Sequence, residues 1–311
     1  MSDDQTVYYA SVSGGKDSLA MCLHLQDLGI PYRAVFFDTG WEHPDTYRYV
    51  REVLPDAIGP IEWLSNEPAL DDAQEADAQE VEAVLGFRSA FVRWCVKKGM
   101  FPSRVRRFCT QELKVRCVQR VMRRAHEAGE APVNCVGVRA GESAARAKLA
   151  EREVSPSLDC LVWRPILRWS ERDVIDRITR AGVAPNPLYL RGASRVGCWP
   201  CIMARKSEIR HIADTDDQRI QAIEVLERVV GDRAEARAEA KGTTLDNRPG
   251  LFQSPRERDG GYPTVPIREI VRWSRTAHGS DLPDRQLGLP GLNDGCLRWG
   301  LCESLPDEGE P

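Results

Sequence analysis

The chain has 311 residues, of which 42% are hydrophobic and 29% charged. This composition is ordinary for one large or two modest globular domains and excludes wholesale disorder. No apolar run is long enough for a membrane-spanning helix, and the first residues lack both the basic and the apolar region of a secretion signal. The sequence therefore predicts a cytoplasmic protein with no membrane partner. Its net charge of −4 does not by itself indicate a nucleic-acid binder.

The first third of the chain alternates between strand and helix patterns. We predict a buried strand over 6–12, a helix over 17–28, a strand over 32–37 and a helical stretch over 44–53. Strand, helix and strand at this spacing form a βαβ unit, which requires a parallel sheet covered by helices. The predicted fold class is therefore α/β, with helices on both faces of a parallel sheet.

Later segments continue this pattern and then depart from it. They predict a strand over 133–138, a strand ending within 161–165, a helix over 170–181, a long charged helix over 216–241, a loop over 242–266, a short helix over 267–275 and a frayed end over 307–311. We therefore expect an α/β domain over 1–210. A mainly helical and irregular C-terminal region should follow over 211–311.

Charge is divided between two consecutive segments. Residues 52–87 contain ten acidic and no basic residues, whereas 88–124 contain twelve basic residues and a single acid, Glu112. The two segments are either solvated faces, or the basic one contacts the phosphates of a nucleotide or nucleic acid. The arginines Arg104, Arg106 and Arg107, close to Cys109, favour the second interpretation.

A glycine-rich loop lies between the first strand and the first helix. Its sequence is Ser13-Gly14-Gly15-Lys16-Asp17-Ser18. Glycines allow backbone amides to surround phosphate oxygens, while the helix N-terminus and the lysine add positive charge. The spacing excludes a Walker A loop. The loop resembles the pyrophosphate-binding PP-loop of the adenine nucleotide alpha-hydrolase superfamily, which implies ATP or an adenylyl sulfate as ligand, with Lys16 and Asp17 in the catalytic site.

Two further segments resemble the phosphoadenosine phosphosulfate (PAPS) reductase branch of this superfamily. Residues 35–40 end in Asp-Thr-Gly, and 137–143 match Gly-x-Arg-x-x-Glu-Ser. The resemblance places Asp38 near the adenosine, where it would accept from a ribose hydroxyl or hold a metal; alternatively it caps the next helix. Gly137, Arg139 and Glu142 are expected at the nucleotide. Arg139 would bind phosphate and Glu142 would orient it or hold Mg²⁺.

Five of the ten cysteines stand in motif-like settings. Cys198 and Cys201 form a C-x-x-C turn, and Cys109 matches the first cysteine of a Cys-Cys-x-x-x-Lys-Val segment of iron–sulfur adenylyl sulfate reductases. A 4Fe–4S cluster requires a fourth thiolate, for which Cys302, or alternatively Cys296, is the candidate. Structural zinc and a metal-free redox pair are the alternatives. The remaining motif-free cysteines are expected to be buried: Cys22, Cys95, Cys117, Cys135 and Cys160.

Three functions are compatible with these motifs. The first is an ATP pyrophosphatase that adenylates an acceptor for sulfur incorporation, similar to DNA phosphorothioation enzymes and iron–sulfur tRNA thiolases. It would use ATP, Mg²⁺ and the cluster, with DNA or tRNA as acceptor and a cysteine desulfurase as sulfur source. The second is an adenylyl sulfate reductase, from which the chain departs because it lacks the C-terminal Glu-Cys-Gly-x-His nucleophile. The third is a non-catalytic nucleotide-binding subunit.

Overall fold

The computed structural model describes residues 5–254 and 263–276. Its main sheet has six strands in the order β3-β2-β1-β4-β6-β5. These are β1 Thr6–Val12, β2 Tyr32–Asp38, β3 Ile61–Ser65, β4 Ala131–Val136, β5 Arg152–Ser155 and β6 Cys160–Trp163. Every neighbouring pair is parallel except β5 with β6. The predicted α/β fold with a parallel sheet is confirmed.

Helices occupy the connections from β1 to β4 and much of the chain after β6. They are α1 Lys16–Asp27, α2 Pro44–Arg48, α3 Leu54–Ile58, α4 Asp72–Leu85, α5 Ala90–Lys98, α6 Phe108–Thr110, α7 Arg116–Glu127, α8 Glu171–Arg180, α9 Pro187–Leu190, α10 Lys206–Thr215, α11 Asp217–Glu239 and α12 Ile267–Ser274. Wider π-helical turns at Tyr49–Val53 and Gln111–Val115 join α2 to α3 and α6 to α7.

Alternating side chains of β1 divide the core between the two faces of the sheet. Ala10 and Val12 belong to one cluster with residues of α1, α3 and α8. Tyr9 points the other way and packs with Val121 and Met122 of α7. This period-2 alternation is what a sheet covered on both faces requires.

The C-terminal helices α11 and α12 share a third core with α4 and α5. Val81 of α4 and Phe91 of α5 pack in one cluster with Ile223 and Leu226 of α11 and Ile270 of α12. The expected boundary at residue 210 falls inside α10, and the division there stays a prediction. Within the described part of the chain, no helix combines the length and apolarity needed to cross a bilayer.

One predicted helix is confirmed by its cap, and two other segments differ from the prediction. The helix expected over 170–181 is confirmed as α8, and Ser170 caps it by accepting from the backbone N–H of Asp173. The segment expected to be a loop, 242–266, contains a short antiparallel pair, β7 Phe252–Gln253 and β8 Thr264–Val265. The edge strand β3 was not predicted, because all its apolar side chains are only partly buried and no alternating pattern marks it.

Candidate nucleotide and thiol site

The three motif segments meet at one edge of the sheet. Strand β1 lies between β2 and β4, with Val12 opposite Phe36 and Ser11 opposite Val136. The residues that follow these three strands therefore leave the sheet side by side at its carboxyl edge. In open α/β sheets this edge, where the strand order reverses, is the place where ligands bind.

The glycine-rich loop is held by its own serines. The backbone N–H of Ser13 donates to Ser18 Oγ at 3.2 Å, and Ser18 Oγ donates to the carbonyl oxygen of Gly15 at 3.0 Å. Gly14 has φ +73°, and a Cβ there would lie 2.7 Å from Thr46 Cγ2. Another residue at this position would be both strained and crowded. The loop thus leads directly into the N-terminus of α1.

Lys16 is almost fully buried and already has ionic partners. Its Nζ lies 3.2 Å from Glu171 Oε1 and 3.6 Å from Asp17 Oδ2, and 5.2 Å from the ring centre of Tyr189. Its backbone N–H donates to the Tyr189 hydroxyl at 3.1 Å. Glu171 and Tyr189 were not predicted as site residues, since no local pattern relates them to the loop more than 150 residues earlier.

Arg139 pairs with Asp17 across the edge of the sheet. Its Nε donates to Asp17 Oδ1, and Arg139 is only 7% exposed. Gly137 permits this approach, because a Cβ there would lie 2.7 Å from the carbonyl oxygen of Asp17. Asp17 and Arg139, two of the three predicted catalytic residues, are therefore in direct contact.

Glu142 does not orient the Arg139 guanidinium. Its Oε2 accepts from the backbone N–H of Arg139 at 2.9 Å, and the same oxygen pairs with Arg146. The predicted orienting role therefore belongs to Asp17, which holds the guanidinium directly. Glu142 instead fixes the main chain of the segment that carries Arg139.

Asp38 and the buried Glu42 form a carboxylate pair that shares the Tyr47 hydroxyl. Its Oδ1 accepts from the Gly40 backbone N–H at 2.8 Å and lies 2.9 Å from the Tyr47 hydroxyl, which is also 2.8 Å from Glu42 Oε2. Burial raises the pKa of Tyr47, and both carboxylates raise it further. The helix-capping alternative for Asp38 is wrong, because His43 caps α2 by accepting from the N–H of Asp45.

Glu42 connects this pair to the C-x-x-C turn. It forms an antiparallel bridge with Cys198, and the neighbouring Trp199 N–H donates to the Trp41 carbonyl oxygen at 2.8 Å. Beneath it, the Nη2 of Arg219 donates to the Glu42 carbonyl oxygen at 3.0 Å. Arg219 was not predicted as a site residue because it lies in the charged helix α11, where an arginine carries no distinguishing signal.

Three of the predicted metal-ligating cysteines act on the charge of Lys114. The negative charge of Cys198 is the main cause that raises the pKa of Lys114, and Glu42, Cys201 and Cys109 raise it further. Burial raises the pKa of Cys198 to about 12, and Lys114 opposes this shift. Burial also raises the pKa of Cys109. For Cys198, burial therefore outweighs the lowering effect of Lys114 on the thiol pKa.

The remaining cysteines divide as follows. The motif-free cysteines are buried, as predicted: Cys22, Cys95, Cys117, Cys135 and Cys160. Cys296 and Cys302 lie outside the described residues. Among the residues that are described, no three His, Cys, Asp or Glu side chains are grouped closely enough to hold one metal ion. The three motif cysteines are thus neighbours without forming a complete ligand set.

Comparison with known proteins identifies the family. The model of the phosphoadenosine phosphosulfate reductase domain matches residues 7–204. An uncharacterized 37.8 kDa protein of Escherichia phage 186 is 36% identical over 255 residues, covering 73% of this chain and 76% of that protein. An adenosine 5'-phosphosulfate reductase of Burkholderia cepacia is 27% identical over 139 residues, covering 43% of this chain and 53% of that enzyme.

Among solved structures, the phosphoadenylyl-sulfate reductase of Candida auris in its phosphate complex is similar, with 22% identity and a TM-score of 0.44. The match covers 62% of this chain and 81% of that chain. The family model spans the whole sheet and all three motif segments described above. The chain belongs to the phosphoadenosine phosphosulfate reductase domain family.

Proposed function

We propose that the chain is an ATP pyrophosphatase that adenylates an acceptor so that sulfur can replace one of its oxygens. An acceptor oxygen would attack the α-phosphorus of ATP, and the bond to the β-phosphate oxygen would break as pyrophosphate leaves. A sulfur nucleophile would then displace AMP. Nucleic acid is the acceptor we propose, and a cysteine desulfurase or another relay protein would supply the sulfur.

The observation that carries this proposal is the convergence of Lys16, Asp17 and Arg139 at the N-terminus of α1. Phosphate oxygens are stabilised by a helix N-terminus and by cationic side chains beside it. Arg139 is held in place by Asp17. It would therefore meet the developing charge of a leaving pyrophosphate without reorganising, which is the condition for strong electrostatic stabilisation.

Lys16 would exchange partners when nucleotide binds. Its ammonium now lies between two carboxylates, Asp17 and Glu171. A triphosphate brings more negative charge than either carboxylate, so the ammonium would turn toward it. Mg²⁺ usually binds through substrate phosphates and one or two carboxylates. Asp17 or Asp38 would supply the protein ligand.

We also propose a 4Fe–4S cluster on Cys109, Cys198, Cys201 and either Cys302 or Cys296. Its support is that Cys109, Cys198 and Cys201 all lie near enough to Lys114 to raise its pKa. The last described residue, Thr276, accepts from Lys206 Nζ at 2.5 Å, five positions after Cys201. The segment that carries both tail cysteines therefore starts close to the C-x-x-C turn. When bound, such a cluster would supply electrons or activate sulfur.

Reduction of an adenylyl sulfate is the second candidate, and the similarity to a Burkholderia cepacia reductase favours it. That reaction needs no site for the β- and γ-phosphates, which Lys16 and the two loop glycines would form. Such reductases carry a Glu-Cys-Gly-x-His nucleophile segment, which the residues around Cys302, Gly-Leu-Cys-Glu-Ser, do not match. These two departures place it second.

The test compares ligands and reactions in one anaerobic preparation of the full chain. We expect Mg-dependent ATP binding and exchange of labelled pyrophosphate into ATP when acceptor is present. Lys16→Ala should slow exchange by roughly 10²–10³-fold, as does loss of other electrostatic catalytic groups. The exposed Lys148→Ala is the matched control. Tight binding of adenosine 5'-phosphosulfate with sulfite release, and no ATP binding, would establish the reductase instead.

A further inference from the structure

Several acidic residues of the segment 52–87 form ion pairs with basic residues of the segment 88–124. Glu67 lies 2.6 Å from Arg88, Glu75 lies 2.7 Å from Arg93, and Glu62 lies 2.7 Å from Arg124. The single acid of the basic segment, Glu112, pairs with Lys98 and Arg116. Five of the twelve basic residues therefore have carboxylate partners within the chain and are less available to contact an external phosphate.

Three arginines of the same segment lie close together in sequence and have no such partner among the described residues; Arg123 of α7 is likewise exposed and unpaired but stands apart from them. Arg104, Arg106 and Arg107 are exposed, and none has an ion pair with any described residue. They lie on a tight turn, in which the Ser103 N–H donates to the Arg106 carbonyl oxygen and Ser103 Oγ accepts from the Arg106 N–H, both at 3.1 Å. Val105, between them, is 93% exposed. We call residues 103–107 the arginine turn.

The arginine turn adjoins the thiol site. It leads into α6, whose second residue is Cys109. Ser103 and Arg104 also line an open groove of about 610 Å³, together with Ile202 and Trp273. Ile202 directly follows Cys201, so the groove runs from the arginine turn to the C-x-x-C turn. A ligand held by the turn and lying in this groove would therefore reach Ile202, one residue after Cys201.

We propose that the arginine turn binds the sugar–phosphate backbone of the nucleic-acid acceptor; this inference rests on the proposed function and assigns its acceptor surface. Guanidinium groups bind phosphate oxygens through two parallel hydrogen bonds, and three adjacent unpaired ones match a repeating anion. Surface arginines that are free of carboxylate partners retain their full charge for this purpose. Backbone contacts position a nucleic acid without reading its sequence.

The test is a salt titration of nucleic-acid binding by the full chain. Labelled single-stranded DNA, duplex DNA and RNA of one sequence are the probes, measured by fluorescence anisotropy. The triple variant R104A/R106A/R107A should reduce the slope of log K against log salt concentration by about two to three, because each phosphate contact contributes roughly 0.7–0.9. The control variant R123A/R172A/R180A removes the same charge from exposed positions on α7 and α8.

The outcomes separate this inference from the proposed function. Support requires binding of at least one nucleic acid, a reduced slope in the turn variant and an unchanged slope in the control. ATP binding should be the same in the turn variant as in the unmodified chain. Absence of nucleic-acid binding, equal slopes for both variants, or tighter binding of an acidic peptide than of any nucleic acid would overturn the inference, even if ATP–pyrophosphate exchange is observed.

Discussion

The side-chain amide of Asn186 donates to the carbonyl oxygen of Gly14 at 3.1 Å and to Thr46 Oγ1 at 3.3 Å. Its Oδ1 accepts from the Leu188 backbone N–H at 3.0 Å, which caps α9. Asn186 is 1% exposed. This one buried amide therefore holds the glycine-rich loop and the short helix α9 in a fixed relation.

We predict that Asn186→Asp destabilises the chain and weakens ATP binding. The variant replaces an N–H donor with an oxygen that faces the Gly14 carbonyl, so a buried acceptor loses its partner. Such a loss costs about 1–3 kcal/mol. Urea unfolding and ATP titration measure the two effects. The exposed Asn247→Asp, which also loses a side-chain hydrogen bond, is the control; an equal effect in both variants would contradict the prediction.

The sequence was sufficient to predict the glycine-rich loop and the strands β1, β2 and β4 that carry the motifs. Short-range patterns specify where β1 ends and α1 begins, and parallel strands necessarily bring their carboxyl ends to one edge. What the structure adds is the strand order, which places β1 between the strands that carry the other two motifs. The burial of the five motif-free cysteines was also predictable, because small thiols outside a motif are usually buried.

The side-chain partners within the site were not predictable. Glu171 contacts Lys16 because α8 packs against α1, and Arg219 reaches Glu42 because α11 packs in the core with Trp41. These contacts depend on the packing of helices distant in sequence, for which a single chain offers no local signal. The mutual pairing of the charged segments has the same origin: α4 lies against α5, and only then do Glu75 and Arg93 meet.

We predict that Arg139→Lys slows ATP–pyrophosphate exchange while leaving the fold intact. Lysine keeps the positive charge but lacks the planar fork that can hold Asp17 and a phosphate together. The expected loss in rate is on the order of 10²-fold, with a smaller change in ATP affinity. Arg146→Lys is the control, since that residue contacts Glu142 from a half-exposed position. A rate loss in Arg146→Lys as large as in Arg139→Lys would remove the special role of Arg139.

We predict that Cys109→Ser, Cys198→Ser and Cys201→Ser each abolish iron binding in anaerobic preparations. Each would remove one of four thiolates, and serine does not replace a thiolate in an iron–sulfur cluster at neutral pH. Iron and sulfide analysis with visible absorption measures the outcome. Cys160→Ala, at a buried position in β6, is the control and should retain iron. Stoichiometric zinc without iron in the unmodified chain would identify the site as structural zinc instead.

We predict that the tail cysteines have different roles. If one of Cys296 and Cys302 completes the cluster, the other is free to carry or resolve a persulfide near the α-phosphate. Single substitution to serine should then give one variant without iron and one that retains iron but does not transfer sulfur to the acceptor. Iron content and sulfur incorporation are measured on the same samples. Full iron and full transfer in both variants would exclude the tail from the chemistry.

Glu227 is expected to make the stability of the chain depend on pH. It is a buried residue of α11, and its two carboxylate oxygens accept from the backbone N–H groups of Leu251 at 3.1 Å and Ile267 at 2.8 Å. Burial raises its pKa from 4.5 to about 7, against the lowering effect of these two hydrogen bonds, and Glu224 raises it further. The folded chain therefore retains this proton at pH values where the unfolded chain has lost it.

Because the folded state binds more protons than the unfolded state between about pH 4.5 and 7, the stabilisation is complete below pH 4.5 and is lost as pH rises through 7. The loss is on the order of 3 kcal/mol at about 1.4 kcal/mol for each pKa unit. Glu227→Gln removes the titrating group, so the free energy of unfolding should fall less across this pH range. The variant should also be less stable than the unmodified chain at pH 5, because one backbone N–H then faces an amide NH₂. Urea unfolding at several pH values measures both effects, with the exposed Glu239→Gln at the end of the same helix as control. If Glu227→Gln keeps the full slope of the unmodified chain, then the carboxyl group of Glu227 is not its source.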